Sequence, residues 1–419
     1  MNKIYTLPGG LRLVLNDMET TRSAAVGVYV ATGAANENSA RSGISHFIEH
    51  MLFKRTHKRT AYDIADEMES LGVQINAFTA RHMTSYYTIS TYEHVDACME
   101  LLSDIFFNSV FDKEDMSREK QVVLEEISRS EDDPEDVCFD GLAKAFYGDT
   151  PMGRPILGYA DNVRSFTRED IRSYMDEFYV APNTVISVAG KFDHEVVEGL
   201  VDKYFIDKFI PKPAPAEITA VETQSRLFFK EKPTEQANIA FMFPSYTYGD
   251  DRLYAAMLLS NVFGGGMSSR LFQNVRERRG LAYDIYSLTS AMKANGCFEI
   301  FVGTNPKTAK IAVDAIREEI LLLLDKGITE REFSKGKEQL KAGNVLGAES
   351  AVSLMRANAK SVVMTGEVYD LDESLAKINA LTMSDIRNAV EDIFDFGKVA
   401  AGYVGVTPDF DVLASVKGV

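Results

Sequence analysis

Leu11-Arg12-Leu13-Val14-Leu15 alternates in the manner of a strand, and Ala24 to Val30 predicts a second strand before the Gly33-Ala34-Ala35-Asn36 loop. A helix through residues 46–50 comes next, with Ser42 or Ser45 as its candidate N-cap. Tyr62 to Leu71 has helical periodicity. Val73 to Thr79 and Thr84 to Ile89 then predict two strands joined near Arg81-His82. Further helices are expected at Glu93 to Phe107 and Lys113 to Ser130, and a strand at Thr184 to Val188 after the Ala181-Pro182-Asn183 turn.

Ile210-Pro211-Lys212-Pro213-Ala214-Pro215-Ala216 places three prolines in alternation, a composition that favours an extended, semi-rigid linker. The expected organisation is a domain over 1–210, a linker over 211–223 and a second domain over 224–419. The half beyond the linker is expected to repeat the pattern of the half before it. It has a strand near Ile239 to Met242, a helix from Arg252 to Val262, strands at Tyr283 to Tyr286 and Cys297 to Phe301, and two long helical stretches. Strands returning as hairpins beside runs of helix predict an α+β fold of two similar domains, each a mostly antiparallel sheet with helices packed on it.

Composition narrows the partners. A chain of 419 residues with 45% hydrophobic content can bury two sizeable cores. Its net charge of −17 argues against nucleic acid, which needs clustered Lys and Arg. The same charge would suit cationic peptides, although keeping the protein in solution is the simpler role for it. Cys98, Cys138 and Cys297 are odd in number and lack paired spacing, so neither a disulfide framework nor a thiolate metal site is indicated. A reducing compartment, the cytoplasm, fits this usage. Met1-Asn2-Lys3-Ile4-Tyr5-Thr6-Leu7 has no apolar run of signal-peptide type, and no stretch elsewhere is apolar for long enough to span a bilayer.

The chemistry concentrates in His46-Phe47-Ile48-Glu49-His50. Positions i, i+3 and i+4 share one helix face, so both imidazoles and the carboxylate can address one ion. This HxxEH order is the inverse of the zinc-protease helix motif. Two neutral histidines suit Zn²⁺, one ion per chain, and leave Glu49 as candidate general base. A catalytic site of this kind needs one more protein ligand. Glu119 and Glu126 stand about two helical turns apart and share a face, with Glu125 about 100° away. Val122 and Val123 lie on the same side, which predicts a buried face. Glu126 is therefore assigned to the metal, Glu119 to supporting a histidine ring or the ligand helix, and Glu125 to solvent. Taken alone, this segment would read more simply as a solvated charge run. All six histidines precede the linker, so only the first half can hold a histidine-ligated metal.

With these residues the chain resembles the pitrilysin and insulinase family of zinc metallopeptidases, and is similar to its two-domain bacterial members related to mitochondrial processing peptidase. The resemblance runs through Gly43 to Lys54, Asn76 to Thr79, Gly153 to Gly158, Ser268 to Phe272 and Arg276 to Tyr283. The family places its ligand glutamate about seventy-six residues after HxxEH, which lands on Glu126. The resemblance implies a zinc endopeptidase acting on extended peptides within a closed chamber. It implies an edge strand at Asn76, Ala77 and Phe78 that holds substrate by its backbone. It further implies that Arg276 contacts the substrate backbone and Tyr283 the carbonyl oxygen, and that a homodimer lets each subunit's pair serve the other's zinc. Peptides are then the expected partners, with neither nucleic acid nor membrane. The loop Gly33 to Glu37 lacks the family's serine and arginine, and Thr150 stands where a histidine is common, departures that bear on substrate preference.

Two other functions stay in view: a non-catalytic peptide-binding or assembly subunit on the same fold, and a zinc hydrolase of small amides. The first would be expected to lose part of HxxEH or the distal glutamate. The Arg276 and Tyr283 pair makes sense mainly for a polypeptide substrate. Gly264-Gly265-Gly266 lacks the Lys-Ser or Lys-Thr of a phosphate loop and is expected to be flexible, and Glu131 to Asp136 is expected to be a solvated acidic loop.

Overall fold

Two sheets organise the computed structural model, which describes residues 3–419 and so leaves Met1 and Asn2 of the amino-terminal segment outside the described residues. The first sheet has β1 (Lys3–Thr6), β2 (Arg12–Asp17), β3 (Ser23–Val30), β4 (Gln74–Thr79), β5 (Thr84–Thr91) and β6 (Thr184–Gly190) in the order β1-β2-β6-β3-β5-β4. The second has β7 (Leu227–Glu231), β8 (Ala237–Pro244), β9 (Ala282–Ala291), β10 (Gly296–Thr304) and β11 (Ala400–Gly405) in the order β7-β11-β8-β10-β9. In each, one parallel pair, β2 with β6 or β7 with β11, is followed by an antiparallel run. Setting β2, β6, β3, β5 and β4 against β7, β11, β8, β10 and β9 therefore reproduces one topology twice, as the repeated pattern along the chain predicts.

Alternation decides which face of the first sheet is the main core. Leu11, Leu13 and Leu15 join Val26, Val28, Ile186 and Val188 on one face. Against it lie α1 (Ile44–Leu52), α2 (Ala61–Ser70) and α3 (Val95–Asn108), with α4 (Lys113–Asp132) adding Met116, Val123 and Ile127. The second unit has a core of its own, in which Phe241, Phe243, Phe298 and Ile300 meet helix residues such as Leu258, Leu259 and Ile316.

The compact units are not two contiguous halves. One comprises Met1–Ile127, Pro155–Ile218 and Val345–Asp370, the other Ser128–Arg154, Thr219–Asn344 and Leu371–Val419. The passage at 218 falls within the expected 211–223 linker, yet two helices are exchanged across it. The α5 helix (Pro134–Tyr147) packs on β7, β8 and β11, while α6 (Ala351–Thr365) packs on β3 and β6. Small residues admit both. A Cβ on Gly141 would stand 2.0 Å from the Phe228 ring, and one on Gly27 would stand 2.8 Å from Met355 Sδ. Ser187 Oγ donates to Met355 O at 3.0 Å and Arg12 Nη1 to Val362 O at 3.2 Å, which ties α6 to the first sheet.

The acidic stretch expected as a solvated loop is instead a helix junction. Glu131 and Asp132 end α4, and Asp133 caps α5 by accepting from Glu135 N and Asp136 N. Pro134 takes the first helical position, where no N–H is needed, and Glu135 and Asp136 complement the positive helix end. Glu135 also accepts from the Tyr286 hydroxyl at 2.6 Å. Among the described residues, no helix is long and apolar enough to cross a membrane.

Candidate metal centre

Five apolar residues of α1, Ile44, Phe47, Ile48, Met51 and Leu52, are buried. Burial of side chains this size stabilises by roughly 1.5–3 kcal/mol each at most, enough to fix how α1 is rotated. With that face committed, His46, Glu49 and His50 lie together on another. Neither expected serine caps α1. The N-cap is Gly43 at φ 92°, and the buried Glu37 carboxylate reaches over to accept from Gly43 N at 2.7 Å and Ser45 N at 2.8 Å. Only glycine suits this turn, because a Cβ on Gly43 would lie 2.5 Å from Leu157 O. That contact packs Leu157 and Gly158, distant in sequence, against the start of the helix that carries His46 and His50.

Glu126 arrives from α4. His46 Nε2 and His50 Nε2 are 3.2 Å apart, and Glu126 Oε2 lies 3.6 Å from the first and 3.5 Å from the second. Zinc bonds of about 2.0–2.2 Å in a tetrahedron require ligand atoms about 3.4 Å apart. The triangle has the size of one tetrahedral face, and its two-nitrogen, one-oxygen donor set suits Zn²⁺. Among the described residues these three form a group whose ligand atoms all lie within 4.8 Å of one another.

Glu119, on the same helix, takes a different partner. Its Oε1 is 2.7 Å from His50 Nδ1 and its Oε2 is 2.7 Å from Lys54 Nζ. The carboxylate is 4% exposed, so Lys54 supplies the countercharge that its burial requires. Glu125 faces solvent as expected, but Val122 is 49% exposed, so the buried stripe of α4 is narrower than the sequence suggests.

Charge is distributed as a cation site would demand. Burial, then the facing His50, pushes His46 down to about 4. Burial also pulls on His50, but its hydrogen bonds to Glu119 and Glu126 outweigh it and raise the ring to about 9. The two carboxylates thus favour positive charge at the His50 ring. Glu119 is drawn below the usual carboxylate range because His50 and Lys54 overcome its burial. Glu49 shifts upward through burial, opposed by the Thr79 hydroxyl, which donates to its Oε2 at 2.6 Å.

Thr79 ends β4, an edge of the first sheet that pairs with β5 alone. Its neighbour Ala77 does not spend its amide on the ladder. Asn76 Oδ1 accepts from Ala77 N at 2.8 Å, a local cap on an otherwise open edge. Beside it, a cleft of about 370 Å³ is lined by Glu49, His50, Lys54 and Glu119 on its polar side and by apolar groups including Phe53, Ile64 and Ala77. Asn76 and Ala77 therefore share this cleft with Glu49 and His50, whereas Phe78 turns its ring toward Tyr29 and Tyr87.

Arg276 and Tyr283 belong to the second unit. Arg276 sits in a π-helical turn, Phe272–Glu277, with its guanidinium 4.7 Å from the Phe272 ring centroid. Tyr283 is 61% exposed on β9, itself an edge strand. Arg270, in the neighbouring segment, forms a forked pair with Glu332 at 2.7 and 2.8 Å that anchors this turn to the following helices. Sequence reasoning assigned no role to Thr79, Lys54 or Glu37. Lys54 and Thr79 stand in segments singled out for the resemblance, but their partners are remote in sequence.

The family model described as Insulinase (Peptidase family M16) matches residues 12–160, and the one described as Peptidase M16 inactive domain matches 165–340. An uncharacterized zinc protease of Bacillus subtilis is 38% identical over 394 residues, covering 94% of this chain and 96% of the relative. Another, from Streptomyces coelicolor, is 35% identical and covers 98% of this chain and 89% of its own. In structure, a protease from Helicobacter pylori superposes with a TM-score of 0.88 at 22% identity, over 96% of this chain and 99% of the other. A peptidase M16 inactive domain from Pseudomonas fluorescens gives 0.91 at 19%, over 97% and 98%.

Proposed function

The chain belongs to the insulinase family, Peptidase family M16, and from that premise we propose that it is a zinc-dependent endopeptidase that cleaves extended peptides or small unfolded polypeptides within a closed chamber. The observation that carries the proposal is the convergence of His46, His50 and Glu126 while Glu49, on the same helix face, keeps its carboxylate for Thr79.

His46, His50 and Glu126 would hold the ion, and Glu119, backed by Lys54, would fix the tautomer and orientation of His50. Bound there, zinc would supply Lewis acidity, polarising a carbonyl and lowering the pKa of water toward about 7. Glu49 takes the proton from the attacking water and returns it to the leaving amine. The Thr79 hydroxyl aims that carboxylate. An extended peptide adds to the open side of β4, its carbonyl replacing Asn76 Oδ1 on the Ala77 amide. One of its side chains then enters the cleft beside Phe53 and Ile64, which favours an apolar residue there.

The test is digestion of a mixed peptide library, with cut sites mapped by mass spectrometry, in the presence and absence of a chelator. Expected is cleavage that chelation abolishes and zinc restores. Intact peptides under both conditions would favour the alternative, a non-catalytic peptide-binding or assembly subunit of the same fold. The presence of every part of the zinc motif favours the enzyme.

Arg276 and Tyr283 complete the site in a homodimer, each subunit's pair serving its partner's zinc, the arginine on the substrate backbone and the tyrosine on the carbonyl oxygen. Mixing inactive Glu49→Gln with inactive Arg276→Ala should then recover activity, because one intact site forms in each mixed dimer. No recovery, with subunit exchange verified, would place the pair within one chain. The working compartment in this reading is the cytoplasm.

A further inference from the structure

We propose that Arg356 sets the substrate preference of the β4 edge by binding a carboxylate at a position one residue away from the side chain that fills the apolar cleft. The inference rests on β4 being the strand that pairs with the peptide.

Side chains of β4 alternate between two environments. Ile75 and Ala77 line the cleft and Thr79 reaches Glu49. Phe78 points to the opposite face, where its ring centroid lies 6.5 Å from that of Tyr87 and 6.3 Å from that of Tyr29. Over these rings stands Arg356, carried in by the exchanged helix α6. Its guanidinium is 4.7 Å from the Tyr87 centroid and 5.8 Å from that of Phe78, and it donates to the Tyr87 hydroxyl. The residue is exposed, and no ion pair to it is found among the described residues.

A guanidinium has five N–H donors in one plane, and one bond to Tyr87 leaves most of them unspent. Stacking on aromatic faces keeps that plane ordered while its rim stays open, the arrangement that binds a carboxylate through two parallel bonds. A peptide strand laid along β4 projects alternate side chains to the two faces, as β4 itself does. If one residue enters the cleft, its neighbours turn toward Arg356. The apolar side chain and the carboxylate are therefore demanded at adjacent positions. The net charge of −17 works against acidic ligands at long range, but salt screens that field beyond about 8–10 Å, whereas Arg356 acts at contact.

The carboxylate can come from Asp or Glu or from a peptide's C-terminus, and both sources are testable. A parent peptide cut by the zinc-loaded protein is remade with Glu, Gln or Lys at successive positions, each as the free acid and the amide. For wild type, kcat/KM with Glu should exceed that with Gln on the order of fivefold, the size of an exposed charge pair, at a position next to the one that fills the cleft, and not elsewhere. If the C-terminus is the ligand, the acid should exceed the amide instead. Arg356→Glu should invert the Glu-to-Lys ratio, and Arg356→Lys should retain part of the preference. A purely structural clamp would lower all three series together and leave the ratios intact, which would overturn the inference. Ratios near one throughout in wild type would also overturn it while leaving the peptidase reading standing. A wild type that cuts no peptide would remove both.

Discussion

Glu49→Gln retains its metal and loses turnover by about 10²–10⁴-fold, the range that a positioned general base contributes. The substitution keeps the shape of the side chain and an oxygen that can still accept from Thr79 Oγ1, so the β4 contact should survive. It removes only the capacity to take a proton. Because burial already disfavours the charged form of Glu49, a neutral amide there should cost no stability, and the melting temperature should hold or rise. Zinc affinity by chelator competition and kcat on a cleaved peptide separate the two effects. Wild-type kcat in the variant would rule Glu49 out as the base.

Glu126→Ala shows the reverse pattern: the fold stays and the metal goes. Its side chain is 43% exposed, so truncation opens no buried cavity. Zinc binding should weaken by more than about 100-fold, because a ligand is lost and not merely an outer partner, whose removal costs about 10–100-fold. Glu119→Gln supplies that smaller loss, since its amide can still accept from His50 Nδ1 while the charge facing Lys54 is gone. The order of the two variants decides which carboxylate of α4 is the ligand. If Glu119→Gln loses zinc more completely than Glu126→Ala, the assignment is reversed.

The candidate metal-binding face is legible because a helix imposes its own geometry. His46, Glu49 and His50 follow from the spacing alone, and Glu119 and Glu126 from theirs, with the choice between them reinforced by family likeness. The open edge at Asn76 to Phe78 came from that likeness alone, since an edge strand and a core strand look the same over six residues. The features that escaped depend on long-range meetings that periodicity does not encode. Glu37 caps α1 across a loop, Thr79 meets Glu49, and Lys54 meets Glu119. The exchange of α5 and α6 escaped for the same reason: an amphipathic pattern says that a helix will be covered, not by which sheet. The acidic stretch departs from a solvated loop because Asp133-Pro134 within it is an ordinary helix start, a signal that its charge density masks.

The exchange also bears on how this protein can be taken apart. A fragment ending at 218 would contain β1 to β6 and the candidate metal ligands but not α6, leaving Gly27, Ser187 and Arg12 on a bare surface that Met355 and Val362 otherwise cover. The complementary fragment would lack α5 and uncover Phe228 in its turn. Neither piece is a free-standing module, and dissection at the proline linker would yield sticky, half-dressed sheets. Isolating the lobe that carries His46, His50 and Glu126 calls for a graft that brings 345–370 along with it.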